Sequence, residues 1–264
     1  MNDFEFHRPK TLADATKALS AAADGRLIAG GQSLLASMKL GLAAPSDLID
    51  LGQVDGLRGI RLEAGTLRIG AMTTHAEVAA SSEVREAIPA LSLLADGIGD
   101  PAVRTRGTLG GSLANNDPAA CYPSAVLALG ATIHTDRRTI AADDFFTGLY
   151  ETALDAGEII TAVSFPVPVA AGYAKFLQPA SRFALVGVFV ARTAEGARVA
   201  VTGAAACAFR VRELESALSA NWAASACDAV SIAHEQLNSD LHATAEYRAH
   251  LIPVLARRAV VQAG

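Results

Sequence analysis

The stretch "IAGGQSLLASMKLGL", beginning at Ile28, and the stretch "RTRGTLGGSLANNDPAACYPS", beginning at Arg104, each carry a glycine pair followed closely by a serine. Glycines let backbone N–H groups converge and let a phosphate approach with no Cβ in the way. A helix starting just after them adds free N–H donors and a favourable dipole. "AGGQS" fits between an apolar strand and a helix, although the same layout also serves as an ordinary turn with Ser33 as the helix cap. In the second stretch Gly110, Gly111 and Ser112 follow Thr108 and precede a helix-like segment. Behind them come Asn115, Asn116 and Asp117, polar groups suited to hydroxyls or an amide-rich ring. Two such loops suit a dinucleotide whose central pyrophosphate is gripped from both sides.

Other chemistries find little support. No G-x-x-x-x-G-K-[ST], G-x-S-x-G or H-E-x-x-H occurs, which excludes the usual P-loop, nucleophile elbow and zinc helix. "GIGDPA" from Gly97 matches G-x-G-x-x-A, but it follows a helical segment and contains Pro101, so it reads as a coincidence and not as a Rossmann fingerprint. Cys121, Cys207 and Cys227 are far apart in the chain. They offer no C-x-x-C pair for zinc or an iron–sulfur cluster and read as free thiols in a reducing compartment.

The elements that must position the two loops follow from local pattern. Residues 8–25 carry Thr11 as N-cap, Asp14 three residues later, apolar residues at helical spacing and Gly25 as the stop. "RLIAGG" reads as a short strand, "SLLASMKLGL" as a helix ending at Gly41, and "DLIDL" as a strand. Residues 56–71 alternate around Ala64-Gly65 as a hairpin does. Helices are expected over 74–80 and 83–95, and a proline-closed strand in "GEIITAVSFPVP". Composition shifts near 168–172. Beyond that, "YAKFL", "FALVGVFVAR" and "RVAVTGAAACAF" read as strands, followed by helices over 211–220, 226–237 and 245–262. Strands followed by helices favour an α+β arrangement.

Composition narrows the rest. The 264 residues are 51% hydrophobic and 19% charged, enough for a substantial core. The net charge of −5 gives no field for nucleic acid or an anionic membrane surface. The N-terminal residues resemble no export signal, and apolar runs such as "ALVGVFVA" are too short to span a bilayer. A soluble cytoplasmic protein is expected.

Five ordered segments carry a resemblance: "AGGQSLLASMKLGLAAPSDLIDL", "IGAMTTHAEV", "GDPAVRTRGTLGGSLANNDPAA", "GEIITAVSFPVP" and "YAKF". Together they resemble the FAD-binding medium subunit of the molybdenum hydroxylases, of the carbon monoxide dehydrogenase and xanthine dehydrogenase type, over nearly the whole chain. The resemblance implies an α+β fold: a two-lobed FAD-binding domain of the vanillyl-alcohol oxidase type over residues 1–170, with lobes of about 1–54 and 55–170, then a smaller α+β domain over 171–264.

It further implies noncovalent FAD. Ala29, Gly30, Gly31, Gln32, Ser33 and Leu34 would hold the pyrophosphate from one side, and Thr108, Leu109, Gly110, Gly111 and Ser112 from the other. Lys175 matches a family lysine near the isoalloxazine, where a cation can stabilise the anionic reduced flavin; otherwise it is a surface lysine on an edge strand. Asp117 would reach the ribityl chain, or else cap the helix after Pro118. No catalytic residue and no metal ligand is expected on this chain. Molybdopterin and the 2Fe-2S clusters would reside on a molybdenum large subunit and an iron–sulfur small subunit, in a dimer of heterotrimers, with electrons leaving through the FAD to an external acceptor. A self-sufficient flavin oxidase or reductase of similar fold is the alternative. Two departures stand out: Cys121 and Arg182 occupy positions where many relatives carry aspartate.

Overall fold

A computed structural model describes residues 2–264. The chain opens with β1 (Glu5–His7), α1 (Leu12–Ala21), β2 (Gly25–Ile28), α2 (Leu34–Lys39) and β3 (Asp47–Asp50). Thr11 caps α1 by accepting from the Asp14 N–H. The helix ends at Ala21, and Gly25, expected as its stop, instead opens β2. The three strands form a parallel sheet in the order β1-β3-β2. Parallel pairing of β2 with β3 demands a crossover, and α2 provides it. β1, in the N-terminal "EFH", carries too short a pattern to be recognised by periodicity.

Next come β4 (Ile60–Glu63), β5 (Thr66–Gly70), α3 (His75–Ala80), α4 (Ser82–Ala87), α5 (Pro89–Asp96), α6 (Pro101–Arg104), α7 (Leu109–Asn115), α8 (Tyr122–Ala128), β6 (Thr132–Thr135) and β7 (Thr139–Ala141). They are followed by α9 (Ala142–Phe145), β8 (Phe146–Gly148), β9 (Glu151–Thr152) and β10 (Ile160–Pro166). Ala64 and Gly65, with φ of 46° and 76°, make the tight turn of the β4–β5 hairpin. The expected single helix over 83–95 is two, α4 and α5, because Pro89 pushes Ile88 out of helical conformation (φ −142°, ψ 75°) and restarts the helix. A five-stranded antiparallel sheet in the order β4-β5-β10-β6-β7 carries these helices.

The chain closes with β11 (Ala170–Leu177), β12 (Ala184–Thr193), β13 (Gly196–Thr202), β14 (Phe209–Arg210), α10 (Arg212–Ala220) and α11 (Ala245–Ala263). The four strands form an antiparallel sheet in chain order. It is buried on both faces, which explains the unbroken apolar run of β12. Val186, Val188 and Val190 pack with Leu214, Leu218, Ile252 and Leu255 of the two C-terminal helices. Phe189 and Ala191, on the opposite face, join Leu91, Tyr122 and Leu127 in the main core. α11 lies so close to β11 that a Cβ on Gly172 would sit 1.9 Å from the Ala259 carbonyl oxygen.

The helix expected over 226–237 does not form. A short 3₁₀ turn, Ala224–Cys227, leads into irregular chain. Its apolar residues Val230, Ile232 and Leu237 still pack on the C-terminal core. β-branched residues beside Ser231 and Asp228 give that stretch little helical preference of its own.

Candidate functional site

The loop between β2 and α2 is shaped by two glycines with different duties. Gly31 has φ +71°, a conformation glycine adopts freely. Gly30 is there for lack of a side chain: a Cβ would lie 2.1 Å from the Arg106 carbonyl oxygen and 2.8 Å from Gly107 Cα. The two glycine loops therefore touch. Among the described residues, the backbone N–H groups of Gly30, Gly31, Gln32 and Ser33 donate to no protein acceptor. Ser33 does not act as the helix cap; its side chain makes no capping hydrogen bond, which leaves the hydroxyl free. The Gln32 amide donates back to the Gly30 carbonyl at 3.0 Å and stiffens the turn.

The second loop proves to be the first turn of α7. Thr108 caps it, its hydroxyl accepting from the Gly111 N–H at 3.1 Å. The β5–α3 connection fixes this turn from behind, with the N–H groups of Leu109 and Gly110 donating to the Thr73 and Ala71 carbonyls. A Cβ on Gly110 would lie 2.6 Å from that of Ala71. Beneath it sits His75, only 5% exposed, whose N–H donates to the Gly107 carbonyl. Burial, and then the charge of Arg104, bring its pKa down to about 4, so the imidazole is neutral.

Both loops open on a cavity of about 680 Å³ to which all three main sheets contribute. Every residue assigned to the site by resemblance lines it except Leu109, whose side chain is fully buried in the main core. Asn115 and Asp117 face it. Asn116 does not; fully buried with φ +42°, it donates through Nδ2 to the Gly148 and Glu151 carbonyls and ties down the β8–β9 hairpin. Asp117 accepts from the Ala119 N–H at 2.9 Å, a local turn that lies short of α8 and does not cap it.

The opposite wall comes from the C-terminal sheet. Lys175, on edge strand β11, reaches into the cavity instead of out to solvent, donating to the Gly97 carbonyl at 2.7 Å. Sequence reasoning missed several wall residues. Ile98, Gly99 and Asp100, in the segment dismissed as a coincidence, line the cavity, although that segment follows a helix and is no Rossmann turn. Phe183 of the β11–β12 loop lines it too, next to Arg182, which the sequence already marks as a departure, and so does Glu158. The Glu158 carboxylate is bound by Arg138 at 3.0 and 2.9 Å, which holds its pKa down at about 2. Only an odd buried charge in "GEII" hinted at this pair.

A family model described as the FAD binding domain in molybdopterin dehydrogenase matches residues 2–168. The nicotine 6-hydroxylase medium subunit of Paenarthrobacter nicotinovorans is 40% identical, over 97% of this chain and 95% of that protein. The carbon monoxide dehydrogenase medium chain of Hydrogenophaga pseudoflava is 35% identical, over 97% and 96% respectively. The solved structure of carbon monoxide dehydrogenase from Hydrogenophaga pseudoflava lacking the Mo-pyranopterin moiety matches with a TM-score of 0.91 at 35% identity, covering 99% of this chain and 97% of that one. Quinoline 2-oxidoreductase from Pseudomonas putida 86 matches with a TM-score of 0.89 at 32% identity, over 99% and 97%. Among the described residues no group of histidines, cysteines or carboxylates could hold a metal, and no helix is long and apolar enough to cross a membrane. A cavity with two converging glycine loops, on a chain that matches these subunits end to end, makes this protein a member of the FAD-binding medium subunits of the molybdenum hydroxylases, an oxidoreductase subunit.

Proposed function

We propose that the FAD of this subunit is held noncovalently in the 680 Å³ cavity, its pyrophosphate between Ala29–Leu34 and Thr108–Ser112. The observation that carries this reading is the row of backbone N–H groups, Gly30 to Ser33, that find no protein acceptor where the two glycine loops meet along the cavity wall. Such a row is an anion cradle. The free Ser33 hydroxyl and that of Ser112 add donors, while Asp117 and Asn115 suit the hydroxyls of the flavin's sugar alcohol. When bound, FAD accepts electrons and passes them on. The chain's own part is to bind it, orient it and set the charge around it. Lys175 supplies a cation at the wall, and neutral His75 adds none beneath the second loop.

The electrons come from partner chains, because this one offers no cysteine set for a cluster. We infer an iron–sulfur small subunit and a molybdenum large subunit, in a dimer of heterotrimers, in a reducing cytoplasm where the three cysteines remain free thiols. The division at residue 170 is part of the same reading. It coincides with the change of sheet between β10 and β11, although Tyr173 and Phe189 cross back into the main core.

The test is direct. Purified chain should be yellow, release intact FAD on denaturation, and take electrons from dithionite. It should turn over no carbon monoxide or aromatic heterocycle until both partner subunits are added. Flavin that stays on the denatured chain would refute noncovalent binding, and substrate turnover by this chain alone would refute the division of labour.

A further inference from the structure

The cation on the C-terminal wall of the cavity is surrounded by neutral acceptors. Lys175 Nζ donates to the Gly97 carbonyl at 2.7 Å, to the Arg182 carbonyl at 3.4 Å and to Cys121 Sγ at 3.5 Å. These three use up the ammonium's N–H groups. Among the described residues no carboxylate pairs with Lys175, and Arg182, an exposed residue of the same wall whose carbonyl meets Nζ, also enters no ion pair. The carboxylates of the lining are engaged elsewhere. Glu158 is bound by Arg138, Asp100 accepts from the Val103 N–H, and Asp117 accepts from the Ala119 N–H. Cys121 is 5% exposed, with its thiol at the position from which a carboxylate would neutralise Lys175.

We propose that Cys121 and Arg182 raise the reduction potential of the FAD by leaving the charge on this wall unpaired. The inference rests on FAD occupying the cavity. Two electrons, delivered by the partner's clusters or by dithionite, together with one proton convert oxidised isoalloxazine to its anionic reduced form, which bears one more negative charge. A wall with two unpaired cations holds that form more tightly than the oxidised one. Cys121 acts through Lys175 as a positioning residue. Arg182 acts directly through its charge and, through its carbonyl, by steadying Nζ.

The experiment measures the midpoint potential of the FAD-loaded chain against redox dyes for wild type, Cys121→Asp, Arg182→Asp and the neutral control Cys121→Asn. Aspartate tolerates the φ of +63° at position 182. Each aspartate variant should cut the ratio of reduced-to-oxidised flavin affinity about tenfold, which is about 30 mV for a two-electron couple. Cys121→Asn should stay near wild type. Aspartate variants that bind FAD with an unmoved potential overturn the proposal, as does an asparagine variant that shifts it as far as aspartate. If Cys121→Asp fails to fold, Lys175→Met serves instead: it should lower the ratio at least as much, and an unchanged potential overturns the proposal. Wild-type chain that binds no FAD would sink the reading of the cavity itself, whereas bound FAD with unmoved variants would sink only this inference.

Discussion

Gly30→Ala tests whether the two glycine loops form one site. The added methyl would sit 2.1 Å from the Arg106 carbonyl oxygen, 2.6 Å from its carbon and 2.8 Å from Gly107 Cα. All three are backbone atoms and cannot swing aside, so the loops must part by about 1.3 Å or more to reach ordinary van der Waals distance. A hydrogen bond of ordinary length stretched by that much is no longer one. If two N–H bonds to the pyrophosphate are lost, at about 1.5–3 kcal/mol each for bonds to a charged group, the FAD dissociation constant rises by at least about 100-fold. The cost to the fold is that of modest overpacking, about 1–3 kcal/mol, so the variant remains folded. Gly41→Ala is the comparison: φ is +72°, but nothing lies within 4 Å, so it should cost about 1–2 kcal/mol of stability and leave FAD affinity alone. Titration followed by flavin fluorescence, with circular dichroism and thermal melts alongside, separates the two effects. A folded Gly30→Ala protein that binds FAD within threefold of wild type would refute the idea of one two-sided cradle.

Gly111→Val would place its Cβ 2.9 Å from Thr108 Oγ1. It should displace that cap at a cost of about 1 kcal/mol and weaken FAD binding more than tenfold, as a paired melt and titration would show. His75 sets an acid limit. Its pKa is about 4 in the folded chain against 6.5 as the ordinary value, so on acidification the unfolded chain takes the proton first. Stability should therefore fall as pH drops from 6.5 towards 4, by about 3 kcal/mol in all. Urea unfolding across that range should show the slope, and His75→Gln should flatten it. Arg248, buried in α11, donates through Nη1 to the Leu185 and Gly203 carbonyls, at 2.7 Å each, and through Nη2 to Asp240. Arg248→Met leaves those carbonyls unpaired and should cost about 2–4 kcal/mol in urea unfolding, chiefly through the C-terminal sheet.

What could be read from the chain alone was local. The Thr11 cap, the Ala64-Gly65 turn and the glycine end of α2 depend on residues three or four positions apart, and so does the strand-to-helix layout of the first loop. The ordered glycine, threonine and serine segments carried the family and its cofactor for the same reason: a pyrophosphate cradle is a short backbone shape with strict demands on side-chain size. Helix 83–95 failed only at its joint, where Pro89 acts on its neighbour, and 226–237 failed because nothing local sustains a helix there. Direction was beyond the sequence. Leu109 and Asn116 look like members of the site, but packing turns one into the core and binds the other to the β8–β9 hairpin. Only the folded chain brings Gly30 against Arg106 and sets Lys175 beside Cys121 and Gly97, because these meetings depend on how three sheets pack together and not on any preference of neighbouring residues.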